Sequence, residues 1–208
     1  MSLWLVRHAQ PLIEKGVCYG QLDVAAELLA TKTCADKLSE VLPEGIDVIT
    51  SPLQRCELLA HIFIGLQPDL IPKNDPKLQE MHFGQWEGRA WAEIDPTELQ
   101  AWTDDFAHYR AGGTGESVTQ FMARVAEALD ELDPVKDTLW VTHAGVIRAA
   151  TLISQGIRHI ERADQWPVQA PSYGQWCKLE VEKLNKEINE VKEEEKLFNL
   201  SLPLLPSS

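Results

Sequence analysis

Short apolar runs alternate with stretches of helical periodicity along this chain, and the alternation predicts its elements. Leu3 to Val6 is an unbroken apolar run ending at Arg7 and His8. Such a run reads as a strand buried on both faces that delivers polar residues at its C-terminal end. Ala25 to Leu42 carries apolar residues at helical spacing, and Pro43 closes it. Ile46 to Thr50 reads as a second strand. Ser51 and Pro52 then predict a helix start, with serine as the cap and proline in the first turn, running to about Gly65. Leu70 and Ile71 suggest a short strand, and Lys77 to Gly88 a structured loop with aromatic anchors. Trp91 to Tyr109 reads as helical and Ala111 to Gly115 as a loop. Ser117 to Leu132 is an amphipathic helix ended by Asp133 and Pro134. Thr138 to Thr142 is a buried strand, Gly145 to Ser154 a helix, and Tyr173 to Val181 a last strand.

Strand–helix–strand–helix, a small helical insert, then strand–helix–strand favours an α/β fold: a three-layer α/β/α sandwich with a mostly parallel central sheet. Texture changes after Val181. From there to Phe198 the chain is rich in Glu and Lys, with Leu184, Ile188 and Val191 at helical spacing. Residues 1–181 are therefore expected to form one domain and residues 182–208 a charged helical extension. A narrow apolar stripe of that kind packs on its own domain or forms a seam for a homodimer.

Composition narrows the classes of function. The 208 residues carry a formal net charge of −13, and no basic stripe offsets it, so nucleic acid is not the expected partner. No apolar run approaches the roughly 18–20 residues of a membrane span, and the N-terminus lacks the features of a secretion signal. Neither membrane association nor export is expected. Cys18, Cys34, Cys56 and Cys177 are scattered without C-x-x-C spacing, as free thiols of a reducing cytoplasm would be. Cys18 lies nearest the chemistry-bearing segments. No cluster of metal-ligand spacing is visible, and neither a metal nor another cofactor is expected.

Sites in an open α/β sheet form beyond the carboxyl ends of the strands. Two predicted strands deliver a histidine there, His8 after Val6-Arg7 and His143 after Val141-Thr142. If these strands are neighbours, the two histidines share one crevice. His143 opens a helix, whose first N–H groups favour an anion. A third segment, Ser51-Pro52-Leu53-Gln54-Arg55, brings a second arginine to the same end. Two arginines and two histidines suit a phosphate dianion, because the planar guanidinium offers paired donors to its oxygens. The loop Leu78-Gln79-Glu80-Met81-His82-Phe83-Gly84-Gln85-Trp86-Glu87-Gly88 adds acids in apolar, aromatic surroundings that favour a proton donor. Spacing alone does not choose between Glu80 and Glu87.

Together these four segments resemble the histidine phosphatase superfamily, also called phosphoglycerate-mutase-like, from Leu3 to about Val181. The motifs are Arg7-His8, then S-P-L-x-R-C at Ser51 to Cys56, then E-M-x-F-G-x-W-E-G at Glu80 to Gly88, then T-H-A-G-V-I-R at Thr142 to Arg148. The resemblance implies a metal-independent phosphomonoester hydrolase with His8 as nucleophile and Glu80 as acid. It makes Arg7, Arg55 and His143 the phosphate pocket. Within the family the likeness is greatest to α-ribazole-5′-phosphate phosphatases of the cobalamin pathway, through Cys18 to Val24, the Glu80 loop and Gly115-Glu116-Ser117. Tyr19, Gln21, His82 and Arg148 are candidate contacts to a small phosphorylated substrate. Trp86, Trp91 and Trp102 read as core. Ala9 departs from the usual glycine and Leu59 from a frequent threonine. Two alternatives remain open at this point. One is a phosphotransferase of the phosphoglycerate-mutase type, although mutases of the family carry a longer insert than the one here. The other is a module that binds phosphate without turning it over.

Overall fold

The computed structural model describes residues 1–181; the expected charged helical extension lies outside them. Five strands form one sheet: β1 (Ser2–Arg7), β2 (Asp47–Thr50), β3 (Lys73–Asn74), β4 (Thr138–Thr142) and β5 (Trp176–Glu180). Their order is β3-β2-β4-β1-β5. All neighbouring pairs are parallel except β1 and β5, which run antiparallel at the edge. The chain thus leaves β1 for β2, and β4 later fills the gap between them.

Among the described residues there are five α-helices: α1 (Leu28–Val41), α2 (Gln54–Gly65), α3 (Pro96–Asp104), α4 (Val118–Asp130) and α5 (Ala144–Ser154); α1, α2, α4 and α5 cover the sheet, and α3 lies in the insert. Strand pleating sorts the side chains into two cores. Val6, Val48, Leu139 and Val141 meet Cys34, Leu38, Cys56, Leu59 and Phe63 of α1 and α2 on one face. Leu3, Leu5 and Trp140 meet Phe121, Met122, Val125, Val146, Ile147 and Ala150 of α4 and α5 on the other. The result is the expected three-layer sandwich. Every residue of β4 is buried, which explains the apolar Leu139-Trp140-Val141 at its centre. Among the described residues no helix is long and apolar enough to cross a membrane.

Three boundaries depart from the sequence reading. The short strand is Lys73–Asn74, not Leu70–Ile71. Trp91 to Tyr109 is not one helix: a 3₁₀ turn at Trp91–Glu93 precedes α3. Pro96 is the reason, because it forces Asp95 into extended backbone (φ −56°, ψ 124°) and then starts the helix itself. Ser51 does not cap α2. The helix begins at Gln54 with Leu53 at the cap position and no side-chain bond of its own. A distant acid does that work instead: Asp23 Oδ1 accepts from Gln54 N at 2.7 Å.

Candidate active site

Parallel register brings the chemistry together. Arg7 of β1 stands opposite Thr142 of β4, and Thr50 of β2 opposite Val141. The next residues are therefore His8, His143 and Ser51, side by side at one end of the sheet. His8 N donates to Thr142 O and Ser51 N to Val141 O, both at 3.0 Å, extending the ladder one residue past each strand. The rings of His8 and His143 are 5.1 Å apart and edge-on.

Hydrogen bonds assign both tautomers. His8 Nδ1 lies 2.7 Å from Ala9 O. A carbonyl can only accept, so Nδ1 carries the proton and Nε2 keeps its lone pair. For His143 the order is reversed. Arg55 Nε–H can only donate, and it points at His143 Nδ1 at 3.3 Å. Nε2 then holds the proton and donates it to Ser51 Oγ at 2.9 Å. Both rings are neutral. Burial, followed by the charge of Arg55, pushes His8 down to about 3. The same causes hold His143 well below the ordinary histidine range.

Arg55 is fully buried. Besides His143, it donates to Leu22 O and Gly20 O, each at 2.6 Å. A guanidinium has five N–H groups, so these three bonds leave two for a ligand. The Arg7 guanidinium carbon lies 3.8 Å over the centre of the Tyr173 ring, and Arg7 donates to Pro171 O at 3.2 Å. Its Nε is buried without a partner. Buried donors without partners are uncommon in folded proteins, and an anion beside His8 would satisfy this one.

Glu80 enters from the opposite side on a loop without strand or α-helix. Its carboxylate accepts from Met81 N at 3.0 Å and from Gly145 N at 3.1 Å. The first turn of α5 thus holds the Glu80 carboxylate through Gly145, although the sequence pointed to a phosphate there. Glu87 does not compete for the same place. Its Oε1 ties down Gln21 N and Phe83 N, each at 2.9 Å, within the loops.

Tyr19 lies against Tyr173 and Arg55. Its hydroxyl meets that of Tyr173 at 3.0 Å, and its ring faces Arg55 at 5.1 Å. Burial and this hydroxyl pairing raise the Tyr19 phenol well above its ordinary range. Gln21 Nε2 donates to Glu80 O at 3.0 Å, so it braces the Glu80 backbone. Arg148 is half-buried, donates to Val168 O, and has an unpartnered Nε. His82 contributes its backbone N–H to Glu116. Trp86 is core, with its indole N–H on Glu98 at 2.6 Å.

Cys56 Sγ lies 3.5 Å from His143 Nε2, and burial pushes its thiol up to about 12. Cys18 is raised likewise to about 12, so neither is a nucleophile near neutral pH. Among the described residues no group of His, Cys, Asp and Glu side chains could hold a metal ion.

The sequence reading missed Ser51 as the partner of His143 and Tyr173 as the platform for Arg7. It also missed Arg124 and Glu116, which hold the Glu80 loop. Ser51 lay inside a quoted motif but was assigned a capping role. Tyr173 and Arg124 stand more than forty residues from Glu80 or His8 with no local pattern to mark them.

A family model for the histidine phosphatase superfamily (branch 1) matches residues 3–194. The chain is 30% identical over 166 residues to a putative phosphoserine phosphatase 2 of Hydrogenobacter thermophilus, covering 74% of this chain and 79% of that one. It is 26% identical over 202 residues to an adenosylcobalamin/alpha-ribazole phosphatase of Salmonella typhimurium, covering 87% and 91%. A solved structure of a mycobacterial glucosyl-3-phosphoglycerate phosphatase complexed with VO3 superposes with a TM-score of 0.71 at 26% identity, covering 86% of this chain and 92% of that one.

Proposed function

The chain belongs to the histidine phosphatase superfamily, and on that premise we propose that it hydrolyses a small phosphomonoester through a phosphohistidine on His8. The observation that carries the proposal is the state of His8. The ring is neutral, its Nδ1–H is spent on Ala9 O, and its free Nε2 stands among Arg7, Arg55 and His143. That is an activated nucleophile beside an anion pocket.

In this reading the Nε2 lone pair of His8 attacks phosphorus, and the bond from phosphorus to the leaving oxygen breaks in line. The two spare N–H groups of Arg55 and the free donors of Arg7 take up charge on the equatorial oxygens. An arriving phosphate oxygen competes with Ser51 for the Nε2 proton of His143. Glu80 gives its proton to the leaving alkoxide. It then takes one from the water that cleaves the N–P bond, which restores His8 and releases phosphate.

Among substrates, this reading puts α-ribazole 5′-phosphate first. The support is the likeness through Cys18 to Val24 and a relative matched along 87% of the chain. Relatives of similar identity act by name on phosphoserine and glucosyl-3-phosphoglycerate, so those two esters belong in the same panel.

Rapid quenching during turnover of a 32P-labelled phosphomonoester tests the mechanism. Label should appear on the protein in an acid-labile, base-stable bond, and His8→Asn should abolish both label and turnover. Turnover without such label would overturn the covalent route.

A further inference from the structure

All five N–H groups of Arg124, on α4, are engaged, and none of them faces the phosphate pocket. Its Nε donates to Glu116 Oε1 at 2.7 Å. The two Nη1 protons go to Lys77 O and Gln79 O, each at 2.7 Å. The two Nη2 protons go to Glu80 O at 2.9 Å and Glu116 Oε2 at 2.8 Å. The guanidinium also lies over the Phe121 ring at 4.6 Å. Glu116 completes the clamp: its Oε2 accepts from His82 N at 2.9 Å, and its N donates to His82 O at 2.8 Å. One arginine and one carboxylate therefore hold the backbone on both sides of Glu80.

We propose that Arg124 is a positioning residue for the general acid, fixing the Glu80 main chain so that its carboxyl stays at the first turn of α5 beside His143. The inference rests on the reading of Glu80 as the acid. No ladder of a sheet or α-helix holds residues 77–82, so bonds from one rigid fork to the carbonyls of Lys77, Gln79 and Glu80 replace it. The last of those bonds ends on the carbonyl of the acid itself. Arg124 and Gly145, which binds the Glu80 carboxylate, lie on α4 and α5, and these helices pack together. The acid is thus held at main chain and side chain by one rigid pair of helices. The charge of Arg124 also reaches His143 and helps keep that ring neutral. An acid moved by about 1 Å loses on the order of a hundredfold in rate.

The test is a ratio of kcat/KM values for the full chain, β-glycerol phosphate over p-nitrophenyl phosphate. Nitrophenolate leaves without a proton and the glycerol alkoxide needs one. The ratio is independent of the fraction of protein folded, so simple destabilisation does not move it. Glu80→Gln should depress turnover of the glycerol ester relative to the nitrophenyl ester by about a hundredfold or more. Arg124→Gln should do so by about tenfold to a hundredfold. Arg124→Lys should recover part of the loss, and Glu116→Gln should show a smaller effect of the same sign. In Glu80→Gln, adding Arg124→Gln should depress the ratio no further. If Arg124→Gln yields no folded protein, Arg124→Lys and Glu116→Gln decide the question. A wild-type ratio in the Arg124 and Glu116 variants, with a depressed ratio in Glu80→Gln, overturns the role of Arg124 alone. A wild-type ratio in Glu80→Gln overturns the acid assignment and the positioning role with it.

Discussion

Ala9 stands where the family usually has glycine, next to His8, the proposed nucleophile. Among the described residues no non-glycine residue has positive φ, so alanine fits there without strain, and its carbonyl is the acceptor for His8 Nδ1–H. Glycine is needed instead at Gly145. A Cβ there would collide with Glu80 Oε1, the movable end of a side chain, and would lie 3.2 Å from Phe121 Cζ. Gly145→Ala should therefore cost little stability and much activity, because the carboxylate gives way first. Turnover of an alkyl phosphate should drop about tenfold to a hundredfold while the melting temperature stays within a few degrees. A melt and a steady-state assay on one preparation check this, and an unimpaired enzyme would count against the Gly145 contact as the anchor of the acid.

At the scale of elements, the site depends on loops borrowed by helices. The start of α2 is capped by Asp23 from the loop that also lends Gly20 O and Leu22 O to Arg55. Gln54 Nε2 returns a bond to Asp23 O, so the loop and the helix carrying Arg55 hold each other. Asp23→Ala should lower the melting temperature by about 2–4 °C, the usual scale for a lost cap in a domain of this size. It should also raise KM for the phosphomonoester, because Arg55 loses its frame; an unchanged KM would show that the cap serves the helix alone. The Glu80 loop has a comparable dependence on Gly115, where a Cβ would collide with the backbone carbonyls of His82 and Ala111.

At the scale of the molecule, two buried neutral histidines make stability depend on pH. In the unfolded chain each titrates near 6.5. In the fold His8 is pushed down to about 3 and His143 well below its ordinary range. Between those limits the unfolded state binds protons that the folded state refuses, so stability is full above about pH 6.5 and is lost as pH falls toward 3. For His8 the slope is about 1.4 kcal/mol per pH unit in that window. Denaturant unfolding between pH 6 and pH 4 should give a slope shallower by about that amount in His8→Asn than in the wild type. Equal slopes would mean that the ring takes up a proton within the fold.

Apolar runs of three or four residues, two of them followed two positions on by a histidine, were sufficient to predict buried strands, a parallel sheet and the end at which chemistry gathers. The motifs around Arg7, Arg55, Glu80 and His143 carried the family. These features are local, and the period of side chains along a strand or helix imposes them before any contact is made. What lay beyond local pattern is of another kind. The placement of β4 between β1 and β2 put His143 beside His8. Packing turned Ser51 from a cap into the acceptor of a histidine proton. Glu80 rather than Glu87 reached α5, and Arg124 closed on the backbone of Glu80 from forty-four residues away. Each is a hydrogen bond between distant segments, and such partners are chosen only when the sheet order and the packing of α4 on α5 bring donor and acceptor to within 3 Å or so.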